Sequence, residues 1–329
     1  MSFFAVLFAL LIEQVKPLPR GNVIHDALTN WMRWAASNFD AGRDRHAWVV
    51  WSVTALVPSL AAWGLFAAAT RVNVLLGLAV DIGVLYLTLG FRQFSHYFTD
   101  IRDALDRADE AEARRLLAQW RHLDASELPR SELLRHVIEH SLLAAHRHVF
   151  GVFFWFVLLS TFGLGPAGAV LYRMAEFASR YWAFRSRTIG LPVNERLMRL
   201  SQQLFELIDH VPARLTAFGF AVVGNFEEAI NCWRRDAWLW RYPNEGVILA
   251  AAAGAVGVQL GGAAAPGVTP DRSQTFEAGA PPEAAAAEGS TTGVPPVPSH
   301  LRSIVGLVWR SVVLWMLLLA LLSLANLIG

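Results

Sequence analysis

The chain has 329 residues, of which 54% are hydrophobic, 13 are tryptophan and 28 are lysine or arginine against 27 acidic side chains. Soluble domains contain fewer apolar residues, so this composition predicts an integral membrane protein with polar segments between its spans. A formal net charge of +1 argues against a nucleic-acid-binding protein, which needs a concentrated basic surface. Cys232 is the only cysteine, which excludes an intrachain disulfide and a cysteine-based metal cluster.

The apolar segments predict an all-α polytopic protein with about four to six membrane segments, some of them short or re-entrant. Residues 2–12 are apolar but lack the basic start and cleavage site of a secretory signal, so we interpret them as a retained short segment. Residues 47–70 are long enough to span, and residues 72–91 return after a turn at Arg71. Asp81 lies inside the returning segment. A carboxylate there is either functional, or it lies near a helix end or pairs with an arginine.

Polar helical segments surround a long apolar stretch in the middle of the chain. Residues 91–148 contain amphipathic helices, which we expect to lie against the bilayer. Residues 149–172 could span, yet the glycines and proline at 163–166 predict a break. A single crossing would put the arginine-rich segments before and after it on opposite faces, against the positive-inside rule. We therefore expect a re-entrant hairpin with both arginine-rich segments on the cytoplasmic side, together with amphipathic cytoplasmic helices.

The last hundred residues change composition twice. Residues 225–245 carry tryptophans typical of a membrane interface, and residues 247–262 form a helix of small residues suited to close packing. The predicted domains are a membrane domain over 1–262, a disordered linker rich in alanine, proline and glycine over 263–300, and a C-terminal transmembrane helix over 301–329.

Arginines that flank the apolar segments form the candidate ligand-binding site. Such arginines can bind phosphate or carboxylate through paired hydrogen bonds; alternatively, they only set topology and contact anionic lipids. Nearby acidic residues, including Glu139, are candidate counter-charges that would line a polar pocket between helices. The candidate residues are Arg147, Arg173, Arg180, Arg214, Asp209, Glu176, His146, His148, Asn244 and Glu245.

The histidines raise the possibility of a metal site. His136 and His140 are one helical turn apart, His146 and His148 follow, and Glu139 or Asp209 could complete a zinc site of three or four ligands. Histidines at a membrane interface are more often solvated or hydrogen-bonded, so we expect no metal.

One acidic motif is a second candidate binding site, and a nucleotide-binding loop of the lysine type is excluded. The sequence Pro-Asn-Glu-Gly at 243–246 could bind a cation or the amine of a ligand, or else only cap a helix. Lys16 is the only lysine, and no glycine-rich phosphate loop surrounds it.

Several stretches together resemble the CobD/CbiB superfamily of bacterial inner-membrane proteins. Their order and spacing match over most of residues 124–262. The matching stretches are Asp124-Ala-Ser-Glu-Leu128, Phe154-Trp155, Gly165-Pro-Ala-Gly-Ala-Val-Leu-Tyr-Arg173, Val211-Pro-Ala-Arg-Leu215, Pro243-Asn-Glu-Gly246 and Ala253-Gly-Ala-Val-Gly-Val-Gln-Leu-Gly-Gly262.

The resemblance implies one of two functions. One branch contains adenosylcobinamide-phosphate synthases, which use ATP to join an aminopropanol-type amine to a corrin carboxylate. The other is AmpE, a membrane protein associated with β-lactamase regulation as a sensor or modulator. The synthases typically have Glu-Asn-Thr-Ser-Asp-Gly where this chain has Leu143 to His148, and the Asp-to-Arg exchange at Arg147 reverses the local charge. The runs at 11–14 and 208–212 are similar to AmpE.

We therefore interpret the chain as an AmpE-like inner-membrane sensor or modulator that binds an anionic ligand or lipid and needs no cofactor. Its expected partners are membrane lipids, and a homo-oligomer is one option for its assembly. The alternative is a synthase that needs ATP and Mg²⁺, with Glu176, Glu206 and Asp209 replacing the missing carboxylates. A third interpretation is a structural membrane partner without a ligand.

Overall fold

The computed structural model describes residues 2–15, 23–40, 44–89, 91–121, 125, 126, 128–188, 194–262 and 290–328. All the elements longer than a single bridge in these ranges are helices, and two isolated β-bridges pair Val258 with Val294 and Gly261 with Ser290. The predicted all-α fold class is confirmed. Parts of the predicted motif at Asp124–Leu128, and all of residues 263–289, lie outside the described residues.

The α-helices are numbered in chain order. They are α1 (Ser2–Val15), α2 (Val23–Phe39), α3 (Asp44–Val72), α4 (Val74–Thr88), α5 (Phe91–Asp106), α6 (Glu110–Arg121), α7 (Arg130–Ala145), α8 (Gly151–Thr161), α9 (Ala167–Thr188), α10 (Glu195–Val223), α11 (Phe226–Asp236), α12 (Pro243–Val256) and α13 (Pro298–Ile328). A π-helical turn at His146–Phe150 joins α7 to α8, and a short 3₁₀ turn at Ala237–Leu239 follows α11.

Among the described residues, three helical stretches are long and apolar enough to cross a membrane: Arg45–Val72, Arg130–Thr161 and Pro298–Ala325. Helices α1 and α4 are apolar but shorter. The middle stretch begins well before the predicted segment at 149, because α7 continues through the π-helical turn into α8.

The chain divides into two compact units, each made from stretches that are distant in sequence. Unit 1 comprises Met1–Gln93, Arg147–Pro212 and Leu318–Gly329, and unit 2 comprises Phe94–His146 and Ala213–Leu317. The predicted domain boundaries at residues 262 and 300 stay a prediction.

In unit 1 a buried cluster joins α2, α3, α9 and α10. Alanines such as Ala47 and Ala175 let the helices approach closely, and large side chains such as Met32 and Trp182 fill the space between them. Asp81 lies buried in the middle of α4, and its Oδ1 has no hydrogen-bond partner among the described residues.

Helices α8 and α9 form a tight hairpin, which confirms the predicted break. Gly163 and Gly165 have φ angles of 74° and 54°, a left-handed conformation that glycine adopts without steric cost. On α9, Gly168 lies against the backbone of α8, where an added Cβ would come within 2.0 Å of the Trp155 carbonyl oxygen. That the hairpin is re-entrant stays a prediction.

Among the helices described in unit 1, two contain an internal proline. Proline has no N–H, so the carbonyl four residues earlier loses its helical hydrogen bond. In α3, Pro58 leaves the Thr54 carbonyl in this state, and the indole Nε1 of Trp31 on α2 points to it at a long 3.4 Å.

The second internal proline is Pro212 in α10, which leaves the Ile208 carbonyl without a helical partner. The indole Nε1 of Trp155 on α8 donates to that oxygen at 3.1 Å. In both helices a tryptophan on a neighbouring helix thus takes the place of the missing backbone donor.

In unit 2 the predicted small-residue helix packs against α11, as α12. An added Cβ at Gly254 would come within 2.3 Å of the Glu228 carbonyl oxygen, and Ala250 to Ala253 are fully buried. Beyond α12, backbone hydrogen bonds tie residues 257–261 to residues 290–294. The last eleven residues of the predicted linker, 290–300, are therefore described, and they are held by these bonds and by the start of α13.

The α8–α9 hairpin predicts the effect of two matched glycine changes. Gly168→Ala forces a side chain into the α8 backbone and is expected to lower stability by about 1–3 kcal/mol. Gly64→Ala in α3, where nothing lies within 4 Å of an added Cβ, should be neutral or slightly stabilising because alanine favours helices. Unfolding temperatures in detergent measure both. Equal effects of the two changes would contradict the close packing.

Candidate functional site

The structure gathers the candidate residues in two groups, one in each unit. Unit 1 contains Arg147, His148, Arg173, Glu176, Arg180 and Asp209, and unit 2 contains His146, Arg214, Asn244 and Glu245. Each group is built by different helices and makes different contacts.

Glu176 is the centre of the group in unit 1. Its side chain is fully buried on α9, and Arg173 and Arg180 lie three residues before and four residues after it, on the same face of the helix. Arg173 Nη1 donates to Glu176 Oε2 at 2.9 Å, and Arg180 Nε lies 2.5 Å from Oε1. One carboxylate thus fixes two guanidinium groups.

The electrostatics of Glu176 follow from these neighbours. Burial raises the pKa of the Glu176 carboxyl, but Arg180, Arg173 and Arg147 outweigh burial and hold that pKa below its usual range. Arg147 belongs to the π-helical turn, which is a rare geometry that often marks functional sites. The half-buried His148, in the same turn, is also close enough to interact with the three arginines.

Asp209 is held by a residue that the sequence analysis did not select. The hydroxyl of Tyr172, which is fully buried, donates to Asp209 Oδ1 at 2.8 Å. The Tyr172 ring lies against the backbone of Gly151, where an added Cβ would come within 2.2 Å of the ring. The signal for Tyr172 was its position beside Arg173 in a matching stretch, but nothing in the sequence paired it with Asp209.

The unit 1 group brings three arginines to two carboxyl groups. Matching stretches from α8, α9 and α10 contribute Trp155, Tyr172, Arg173 and Pro212 to the contacts around it. The arrangement can therefore bind phosphate oxygens through arginine and hold an ammonium group through a carboxylate.

In unit 2 a hydrogen bond joins two of the matching stretches. Arg214 Nη1 donates to Oδ1 of the buried Asn244 at 3.1 Å. Asn244 and the half-buried Glu245 lie in the first turn of α12. His146 is buried, and its Nδ1 is 2.9 Å from Thr216 Oγ1, so it is a hydrogen-bonded histidine in this structure.

Glu139 and Arg135 on α7 hold one glycine from both sides. The Gly261 N–H donates to Glu139 Oε1 at 2.8 Å, and Arg135 Nη1 donates to the Gly261 carbonyl at 2.5 Å. Glu139 therefore anchors the chain after α12. Within the described ranges no three histidine, cysteine or acidic side chains are arranged to hold a metal ion.

Most of the chain matches one protein family. The model of the family described as "CobD/Cbib protein" matches residues 2–291. The chain belongs to the CobD/CbiB family.

Curated relatives from this family match along much or all of the chain. The cobalamin biosynthesis protein CobD of Stutzerimonas stutzeri is 32% identical over 324 residues, which cover 96% of each chain. The CobD of Chromobacterium violaceum is 34% identical over 63% of this chain and 61% of its own. The cobalamin biosynthesis protein CbiB of Salmonella typhimurium is 27% identical over 65% of this chain and 66% of its own. No solved structure matches.

The AmpE-like interpretation as a sensor or modulator is wrong. The relatives named above are cobalamin biosynthesis proteins, and one of them matches from end to end. The error came from giving short local runs, at 143–148, 11–14 and 208–212, more weight than the similarity along the whole chain. In the structure the positive charge of Arg147 acts on the buried carboxylate of Glu176, 29 positions later in the sequence. A local motif does not show that this distant carboxylate balances the arginine.

The buried carboxylate predicts a pH-dependent stability. Because the pKa of folded Glu176 is lowered from 4.5, its ion pairs stabilise the protein above that pH, and the stabilisation is lost as the pH falls through the lowered value. We expect Glu176→Gln to cost about 1–2 kcal/mol at neutral pH, since solvent screens the half-exposed Arg180.

The measurement is the unfolding temperature of the two proteins in detergent at neutral and at acidic pH. The difference between wild type and Glu176→Gln should shrink on acidification. The control is Glu195→Gln, which removes the exposed pair with Arg199 and should change little at either pH. A difference that grows on acidification would contradict the assignment.

Proposed function

We propose that this protein is a multi-pass inner-membrane enzyme that forms an amide bond in cobalamin biosynthesis. The reaction is that of an adenosylcobinamide-phosphate synthase, in which ATP drives the joining of an aminopropanol-type amine to a corrin carboxylate. The observation that carries the proposal is the end-to-end similarity to the CobD of Stutzerimonas stutzeri, a protein named for cobalamin biosynthesis.

The unit 1 group supports this chemistry. An ATP-dependent ligation has to neutralise phosphate charge and hold an amine, and the group supplies guanidinium groups and carboxylates side by side. Arg173 and Arg180 are fixed on Glu176 and are therefore oriented before a substrate arrives. Asp209, on α10, is the second carboxylate.

Magnesium belongs to this proposal as part of the MgATP substrate. The sequence-based alternative assigned Glu176, Glu206 and Asp209 to replace the missing carboxylates. In the structure Glu176 is bound to two arginines, and Glu206 is exposed on α10. Both facts favour Mg²⁺ entering with the phosphates that it coordinates, as is usual for this ion.

The proposal has consequences for location and partners. The three long apolar stretches would lie in the bacterial inner membrane, with lipids as partners and no nucleic acid. Whether the protein forms a homo-oligomer can be measured from its molecular mass in detergent.

The direct test is a ligation assay on the full chain in detergent, with adenosylcobyric acid, aminopropanol phosphate and MgATP. We expect product that depends on ATP. Absence of product, while the CobD of Stutzerimonas stutzeri is active in the same detergent, would contradict the proposal.

A matched pair of arginine changes tests the site. Arg173→Gln removes a guanidinium group of the unit 1 group and is expected to lower kcat/KM for MgATP by about 10- to 10²-fold, since charge-assisted hydrogen bonds to phosphate contribute about 1.5–3 kcal/mol each. Arg199→Gln removes an arginine of an exposed pair on α10 and should leave kcat/KM unchanged. Equal effects would exclude Arg173 from the substrate site.

A further inference from the structure

A cavity of about 260 Å³ lies within unit 1, between the start of α1, the end of α8 and the last part of α13. Val157, Leu319 and Leu322 form its apolar side, and its other lining residues are three serines and a threonine. Among the described residues no charged side chain lines it. The cavity is therefore separate from the group of arginines and carboxylates in unit 1, and its chemistry is different.

The polar side of the cavity consists of four hydroxyl groups. Ser160 and Thr161 donate their hydroxyl hydrogens to backbone carbonyls, at 3.2 and 2.6 Å, so these two oxygens present lone pairs to the cavity. The hydroxyl groups of Ser2 and Ser323 have no hydrogen-bond partner within the described part of the chain. Both can therefore donate to a molecule that enters the cavity.

Ser323 differs in this respect from other serines of the same helix. Serines inside helices can donate to the carbonyl four residues earlier. Ser303 and Ser311 on α13 do so, at 3.4 and 2.9 Å. In the described ranges the hydroxyl of Ser323 makes no such bond. A hydrogen-bond donor is thus available to the cavity from a strongly apolar part of α13, which points to a ligand with a polar atom.

The cavity lies where two long apolar stretches end. Arg130–Thr161 ends at a residue that lines the cavity, and Ser323 is in the last turn of Pro298–Ala325. Their 32 and 28 residues correspond to helices about 40–50 Å long. The hydrocarbon core of a bilayer is about 30 Å thick, and its headgroup regions bring the total to about 40–45 Å. The ends of such stretches, and the cavity with them, therefore lie at the level of the lipid headgroups and glycerol esters.

The cavity opens onto an apolar helix surface. Leu319 is buried at its inner side, whereas Leu322 is 45% exposed. Leu318 and Leu321 continue this exposed surface along α13 and are each more than half exposed. An acyl chain that lies along these leucines brings its ester oxygens to the hydroxyl groups of the cavity.

The volume and the lining limit what the cavity can hold. Pockets that bind small molecules have volumes of about 300–1,000 Å³. A cavity of about 260 Å³ without charged side chains suits neither a nucleoside triphosphate nor a corrin. It suits a compact, uncharged polar group that is attached to a chain outside the cavity, and the glycerol-ester region of a phospholipid is such a group.

We propose that this cavity binds the glycerol-ester region of a membrane glycerophospholipid, with an acyl chain along Leu318, Leu321 and Leu322. Ser2 and Ser323 donate hydrogen bonds to ester oxygens, and the bound lipid joins α1, α8 and α13. Because no charged side chain lines the cavity, phospholipids with different headgroups bind about equally well. The binding needs no turnover, so the inference is independent of the proposed enzymatic function.

The first experiment counts the lipids bound to the full chain in detergent by native mass spectrometry during a lipid titration. The probes are dioleoyl phosphatidylethanolamine, which is zwitterionic, and dioleoyl phosphatidylglycerol, which is anionic. We expect one lipid to bind more tightly than any further lipid, with dissociation constants for the two probes within about a factor of three. An affinity about tenfold or more higher for phosphatidylglycerol would assign the lipid to the arginines and overturn the proposal.

The second experiment locates the lipid with matched changes on α13. Ser323→Leu fills part of the cavity and is expected to weaken the binding of phosphatidylethanolamine about 10-fold or more. Ser323→Ala keeps the space but removes the hydrogen-bond donor, and should weaken binding about 2- to 10-fold. The control is Ser303→Leu, the same change at an exposed position of α13 outside the cavity, which should leave the dissociation constant unchanged.

The unfolding temperature separates lipid binding from a loss of the fold. Added phosphatidylethanolamine should raise the unfolding temperature of the wild type and of Ser303→Leu, because a ligand of the folded state stabilises it. The increase should be much smaller for Ser323→Leu, and Ser323→Ala provides the same comparison if Ser323→Leu does not fold. Equal lipid affinity and equal stabilisation in the Ser323 variants and in Ser303→Leu would show that the lipid binds elsewhere, and would overturn the proposal.

Discussion

Backbone carbonyls in packed helices nearly always have a hydrogen-bond partner, and the packing of unit 1 depends on how this is achieved at two prolines. Thr54 and Ile208 each lose their helical donor, and in each case an indole N–H from an adjacent helix faces the oxygen. The substitution converts a defect within one helix into a contact between two helices. The bond to Ile208 links α8 to α10 immediately before Asp209. A contact that satisfies the helix packing therefore lies beside the candidate site.

The charged groups of unit 1 obey a related rule. A carboxylate as deeply buried as Glu176 is tolerated because arginines surround it, and the arginines in turn gain a fixed geometry. Three arginines against two carboxyl groups leave a site suited to substrates that carry negative charge and an amine. The CobD/CbiB family assignment and this charge arrangement agree, although the six residues at 143–148 differ from the typical synthase motif.

Much of the fold could be predicted from the sequence, and the failures have physical causes. Helical period and apolar length predicted the helices, and Gly163 and Gly165 predicted the α8–α9 turn. A proline usually interrupts a helix, yet α10 runs through Pro212, where Trp155 supplies the donor that proline lacks. Spacing along α9 explains how Arg173, Glu176 and Arg180 meet. The pairing of Tyr172 with Asp209 joins residues from different helices, and no local pattern contains it.

The anchoring of Gly261 has a consequence for the chain between residues 262 and 290. Arg135 and Glu139 hold Gly261, and backbone bonds tie residues 257–261 to residues 290–294, so the two ends of the intervening sequence are fixed side by side. The entropic cost of closing a loop between fixed ends rises only slowly with its length. The bonds that hold the two anchors involve only the anchors and α7, so a peptide tag inserted between them is expected to leave both anchors in place. This makes the interval a suitable place to attach a label in the laboratory.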